Sequence, residues 1–289
     1  MPLSLSLLII LIIITAGLYL FWRMRYGPPR NDFPGVLAYH KIGGFELSGT
    51  WTSPRRFEAQ IDYLLDSGFS FISEEEFIEV LDGEREGSGR ELLLTFDDGY
   101  SDLLSEAAPV LEARSIPALA FIVTGFAGRE NLWELNLPRR RSRHLDWDEL
   151  GRLLDTGFSL GSHTITHRDL TRIGPGQVRR ELAGSRETLR EKLPIEVKSL
   201  SYPFGRAGPA VRREAERAGY RLAFSLYPPQ SNGTINRYML RREGVYVIDT
   251  VYSLKNKLPG GRFYWFEDIK GRLINGVSVL TPMIKERTG

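Results

Sequence analysis

Asp155-Thr156-Gly157-Phe158-Ser159-Leu160-Gly161-Ser162 reads as the end of a helix, a glycine stop, an aromatic residue and a short apolar strand. A glycine just past the last helical residue closes the helix in the left-handed conformation, and the apolar stretch behind it is then the strand of an αβ connection. The same phrase recurs at Asp66-Ser67-Gly68-Phe69 and at Arg217-Ala218-Gly219-Tyr220. The helix starts agree. Ser53-Pro54 supplies a cap and a first-turn proline, while Ser73 to Glu76 and Asp146 to Glu149 are spaced as capping boxes. Strand and helix therefore alternate along the chain, which implies a parallel sheet covered by helices, either a barrel or a doubly wound sheet.

The residues that follow the strands carry the chemistry. Leu92-Leu93-Leu94-Thr95-Phe96 reads as a buried strand and runs into Asp97-Asp98-Gly99. Adjacent side chains on a strand diverge. A break at Gly99 would let both carboxylates reach one pocket, where a cation would offset their repulsion; the plain alternative is an Asx turn. The opening stretch runs into His163-Thr164-Ile165-Thr166-His167, and on a helical turn that spacing puts both imidazoles on one side. Such a pair is a weak signal by itself, but the whole chain holds only four histidines.

Together these residues resemble the polysaccharide deacetylases, the carbohydrate esterase family 4 or NodB-homology group. The family's motifs Thr-Phe-Asp-Asp-Gly and His-Ser/Thr-x-x-His are matched at Thr95 to Gly99 and at His163 to His167, and the similarity spans roughly residues 33 to 250. The resemblance implies that Asp97 is the catalytic base and that Asp98, His163 and His167 hold a divalent metal, most often Zn²⁺, with other divalent transition metals possible. Three N/O ligands leave zinc an open position for water, which the neighbouring carboxylate can deprotonate as it attacks an acetamide carbonyl.

The family usually takes its general acid from a late Leu-x-His motif, yet no histidine follows His167. A Tyr39-His40 pair after the strand-like Val36-Leu37-Ala38 resembles the branch containing poly-N-acetylglucosamine deacetylases, and His40 is the implied acid. First and last strands are neighbours in a closed barrel, so the exchange costs little geometry. The alternative for His40 is that it orders the Lys41-Ile42-Gly43-Gly44 loop. The third motif reads Ser201-Tyr202-Pro203-Phe204-Gly205 where most members have Arg-x-Pro-Phe/Tyr. Phe204 then supplies the oxyanion NH, Tyr100, Tyr202 and Pro203 are implied substrate contacts, and the arginine that tethers the base is missing. Arg242 is a candidate replacement, its alternative being an exposed charge at a strand end. His40, Asp97, Asp98, His163 and Phe204 all fall just beyond the C-terminal ends of expected strands, where β/α barrels place their chemistry. The expected fold is a distorted (β/α) barrel of about seven strands, preceded by one transmembrane helix.

Composition sets outer bounds. Lys plus Arg (38) nearly balances Asp plus Glu (36), which gives no support for a nucleic-acid partner. The absence of cysteine excludes disulfides and a thiolate zinc site. Leu3 to Trp22 is apolar and long enough to span the hydrocarbon layer. Residues 1–26 are therefore expected to be an uncleaved anchor, 27–32 a linker, 33–255 the catalytic domain and 256–289 a membrane-proximal extension. Arg23, Arg25 and Arg30 follow the span, and the positive-inside rule would place the domain in the cytoplasm; substrate logic places it outside. In the extension, Phe263, Phe266, Ile269, Leu273 and Ile274 have helical spacing that suits a helix packed on the barrel or lying on the bilayer. Arg139 to His144 reads as a solvated basic loop, able to meet anionic lipid if it faces a membrane. The expected substrate is an N-acetylated amino sugar of a cell-surface glycan or of its lipid-linked precursor. Deformylation of a lipid-linked sugar and a glycan-binding module with weak turnover are the alternatives.

Overall fold

The computed structural model describes residues 5–25, 33–46, 49–131, 142–228, 235–258 and 260–278. Its strands are β1 (Gly35–Tyr39), β2 (Lys41–Ile42), β3 (Trp51–Thr52), β4 (Ser70–Phe71), β5 (Glu91–Phe96), β6 (Ala118–Ile122), β7 (Phe158–Ser162), β8 (Ser199–Ser201), β9 (Leu222–Leu226) and β10 (Leu240–Gly244). The helices are α1 (Leu5–Arg25), α2 (Pro54–Asp66), α3 (Glu74–Asp82), α4 (Ala108–Glu112), α5 (Trp147–Leu154), α6 (Pro175–Lys192), α7 (Pro209–Arg217), α8 (Val251–Lys257) and α9 (Tyr264–Ser278).

Seven parallel strands close a ring in the order β1, β5, β6, β7, β8, β9, β10, and β4 adds a short pairing at the start of β5. Closure is made by β1, which pairs with β5 from Gly35↔Leu92 to Tyr39↔Phe96 and with β10 at Leu37↔Glu243 and Ala38↔Gly244. The expected barrel, with its first and last strands side by side, is the fold found. The connections follow the sequence reading. Ser53 accepts the Arg56 N–H, Ser73 with Glu76 and Asp146 with Glu149 form capping boxes, and the glycines after α2, α5 and α7 lie at φ 79°, 86° and 84°.

Alternation along the strands divides two cores. Leu37, Leu92, Leu94 and Phe96 pack with the helices, whereas Val36, Leu93, Phe121, Phe224 and Leu240 form a second cluster with Phe77 and Ile78 of α3. Arg242 lies against the rings of Phe121 and Phe224 and is fully buried.

Among the described residues no helix is long and apolar enough to cross a membrane. Helix α1 is continuous over Leu5–Arg25, but the transmembrane role expected for residues 1–26 is not shown. Its Trp22 is buried against α9, where the indole N–H donates to Asp268 and the ring meets Tyr264 edge-on at 5.9 Å. Residues 26–32, the first half of the basic loop (Arg139 to Arg141) and residues 279–289 fall outside the described residues.

Candidate active site

The turn after β5 begins one residue earlier than the sequence suggests. Asp98 itself is left-handed (φ 71°), and Gly99 follows at φ 70°. Asp97 keeps the strand register, its N–H donating to Tyr39 O at 2.9 Å. The two carboxylates consequently serve different partners. That of Asp97 meets Arg242, and that of Asp98 meets two imidazoles.

His163 leaves β7 with its N–H on Ile122 O at 2.8 Å. Its Nδ1 donates to Ser201 O at 2.8 Å, and its Nε2 faces Asp98 Oδ1 at 3.6 Å. His167 Nε2 is 3.5 Å from the same oxygen. The expected helical turn between the two histidines is not what joins them. Left-handed Thr164 (φ 70°) and His167 (φ 56°) fold the segment into a loop instead, and Glu181 of α6 fastens it by accepting the Ile165 and Thr166 N–H groups at 2.8 and 2.9 Å. Strain at such residues persists only where neighbours over-determine the conformation. Hydrogen-bond donors from two consecutive amides to one carboxylate meet that need.

One donor atom each from Asp98, His163 and His167 lies within 4.8 Å of the others, and all three residues are buried. Burial lowers the pKa of His163 to about 4 and that of His167 well below its usual value, so both imidazoles are neutral near pH 7. Neutral imidazoles beside a carboxylate, with no thiolate, fit a divalent transition-metal ion.

Arg242 is the residue whose role the sequence left open. Its guanidinium donates through Nη1 and Nη2 to both oxygens of Asp97, each at 2.7 Å, and also to Ser201 Oγ at 2.7 Å and Thr95 Oγ1 at 3.1 Å. Ser201 stands where the family motif carries arginine. The guanidinium reaches that place from β10 instead, and the reading of Arg242 as an exposed charge is wrong. Burial alone would raise the pKa of Asp97, but Arg242, with His163 and His40, outweighs it and holds the carboxyl well below the usual range.

His40 Nε2 is 4.0 Å from Asp97 Oδ2, where the paired strands β1 and β5 end side by side. Phe204 occupies the tight turn Pro203–Gly205 at φ 58°, with its ring 4.9 Å from that of His167. A Cβ on Gly205 would lie 2.3 Å from Leu226 N, so only glycine fits there. Of the residues expected to touch substrate, Tyr100, Tyr202 and Pro203 are all buried. Tyr202 donates its hydroxyl to Tyr238 O at 3.1 Å, and Tyr100 stacks on His144 with ring centroids 4.7 Å apart. His144, read from sequence as part of a solvated loop, is buried and bonded to the Asp98 carbonyl. All four histidines of the chain thus converge here, and their scarcity was the signal that could have found the fourth.

Residues 84–223 match a family model described as polysaccharide deacetylase. The chain is 27% identical over 208 residues to YxkH of Bacillus subtilis (strain 168), a protein classed by its name with the polysaccharide deacetylases, covering 72% of this chain and 69% of that one. It is 24% identical over 234 residues to the poly-beta-1,6-N-acetyl-D-glucosamine N-deacetylase of Staphylococcus epidermidis, covering 77% and 76% of the two. Among solved structures, IcaB from Ammonifex degensii superposes with a TM-score of 0.64 at 27% identity, covering 74% of this chain and 92% of that one.

Proposed function

We propose that this chain, a hydrolase of amide bonds whose residues 84–223 match the polysaccharide deacetylase model, removes N-acetyl groups from a glucosamine-type glycan, with Zn²⁺ as the cation held by Asp98, His163 and His167. The observation that carries this reading is the pairing of a buried carboxylate, kept ionised by Arg242, with three buried metal-type donors, one on the adjacent residue Asp98 and two on the loop after β7.

When bound, the cation supplies Lewis-acid polarisation of the water and of the acetamide carbonyl. Asp97 takes the proton from the water as it attacks, the Phe204 N–H receives the oxyanion, and His40 protonates the leaving amine as the C–N bond breaks. Acetate and a free amino sugar are the products. The assay is acetate release from N-acetylglucosamine oligomers by the full chain in detergent, before and after chelation. Release that stops on chelation and returns with zinc is the expected result; a metal-loaded protein that releases no acetate would sink the reading.

The reading extends to a membrane-anchored enzyme whose substrate is a surface glycan or its lipid-linked precursor. Helix α1 covers Leu5–Arg25, the stretch whose apolar sequence motivates the anchor. Its end is seated on α9 through Trp22, and α9 in turn reaches the catalytic rim, where Asn275 Nδ2 donates to Phe204 O at 3.1 Å. This chain of contacts favours a substrate close to the bilayer. The proposal includes the outer face for the domain, on the logic that its substrate is a surface glycan. Because the chain has no cysteine, an Arg190→Cys variant on the exposed side of α6 reports the side directly. Labelling by an impermeant maleimide on intact cells is expected; labelling only after lysis would place the domain in the cytoplasm.

A further inference from the structure

We infer that His144 is a positioning residue for the metal site, which sets the Asp98 ligand by holding its backbone carbonyl. The inference rests on the reading of Asp98, His163 and His167 as metal ligands.

Asp98 needs such a hold. A non-glycine residue at φ 71° is strained and relaxes unless its surroundings fix it. A carbonyl can only accept, so the 2.9 Å contact between His144 Nδ1 and Asp98 O places the proton on Nδ1. The ring is 1% exposed, and water does not compete for that bond. The neighbouring backbone is fastened in the same way. Leu145 N–H donates to Gly99 O at 2.9 Å and Ser101 N–H to Arg143 O at 2.8 Å, so residues 143–145 lie along 99–101 as a short antiparallel bridge.

Both ends of this brace are anchored. Arg143 donates to both carboxylate oxygens of Glu149, at 2.7 and 2.6 Å, and Glu149 also accepts the Asp146 N–H in the cap of α5. On the other side the His144 ring stacks on Tyr100 at an interplanar angle of 26°. Tyr100 in turn carries the ammonium of buried Lys41 at 4.4 Å from its ring centroid and accepts from Asn131 Nδ2 at 2.7 Å. Lys41 directly follows His40. The stack therefore joins the chain beside the acid to the chain at the metal ligand, without touching the reacting atoms.

The inference separates hydrogen bond from shape. His144→Phe keeps a flat ring on Tyr100 and removes the donor. His144→Asn places an amide N–H near the Nδ1 position and removes the stack. Zinc titration of the full-length proteins against a chromogenic chelator is expected to show affinity weakened roughly ten- to hundredfold in His144→Phe, and within about threefold of wild type in His144→Asn. Wild-type affinity in a folded His144→Phe, or a hundredfold loss in His144→Asn, would overturn the assignment. Should His144→Phe fail to fold, His144→Asn alone decides between these outcomes. A wild-type protein that takes up no zinc would overturn the ligand reading itself, and with it this inference.

Discussion

Arg242→Met is expected to lose a hundredfold or more in kcat/KM near neutral pH and to unfold more readily by about 3–5 kcal/mol. The two losses share one cause. In the wild type, Asp97 is buried with both oxygens on the guanidinium, and removing that partner leaves an uncompensated buried carboxylate. Its pKa then rises, because burial is the largest influence on it and acts upward once Arg242 is gone.

The sign of the pH dependence follows. A carboxyl whose native pKa is depressed contributes stability above its unfolded value, near 4, and loses it as the pH falls through the native value. The stability gap between wild type and Arg242→Met should accordingly be widest at neutral pH and narrow in acid. The acid limb of the rate profile should move upward, since Asp97 must be ionised to accept a proton. Arg242→Lys should fall between the two, because an ammonium cannot reproduce the two-pronged contact. Denaturant unfolding and kcat/KM against pH test this together. An acid limb unmoved in Arg242→Met would show that the guanidinium does not control Asp97.

The second large effect is expected at His40. If its imidazole protonates the leaving amine, His40→Ala should slow amide hydrolysis by 10²–10⁴. Zinc content should stay as it was, because His40 lies beside Asp97 and is not one of the three ligands. An activated aryl acetate separates the roles. A nitrophenolate departs without a proton, so His40→Ala should hydrolyse it within a few-fold of the wild-type rate while failing on the acetamide. Equal losses on both substrates would mean that His40 orders the site or the Lys41 loop, and that the amine takes its proton from elsewhere.

The barrel was legible because its rhythm is local. Helix, glycine, aromatic residue and strand are written within eight residues, and each repeat is satisfied by its own neighbours. The cluster of Asp98, His163 and His167 was legible for a related reason, since the three sit in two short motifs at strand ends. Arg242 and His144 were harder to read because their partners, Asp97 and Asp98, lie 145 and 46 residues away. Nothing near either residue distinguishes a clamp from a solvated charge. The loop geometry of the histidine pair was missed because four-residue spacing fits a helical turn, and only Glu181, 16 residues beyond Ile165, selects the other conformation.

The ring seam has a consequence for biogenesis. Asp97, the proposed proton acceptor, is supplied early in the domain, whereas the guanidinium that keeps it charged comes from the last strand. Contacts between such distant segments form late, because the intervening chain must first be organised. A nascent chain that has made the first six strands of the ring already contains Asp97, Asp98, His163 and His167, yet it offers Asp97 no counter-charge. On the proposed reading, synthesis of the domain is thus separated from the onset of its chemistry, and hydrolytic competence would arrive only with the strand that completes the ring.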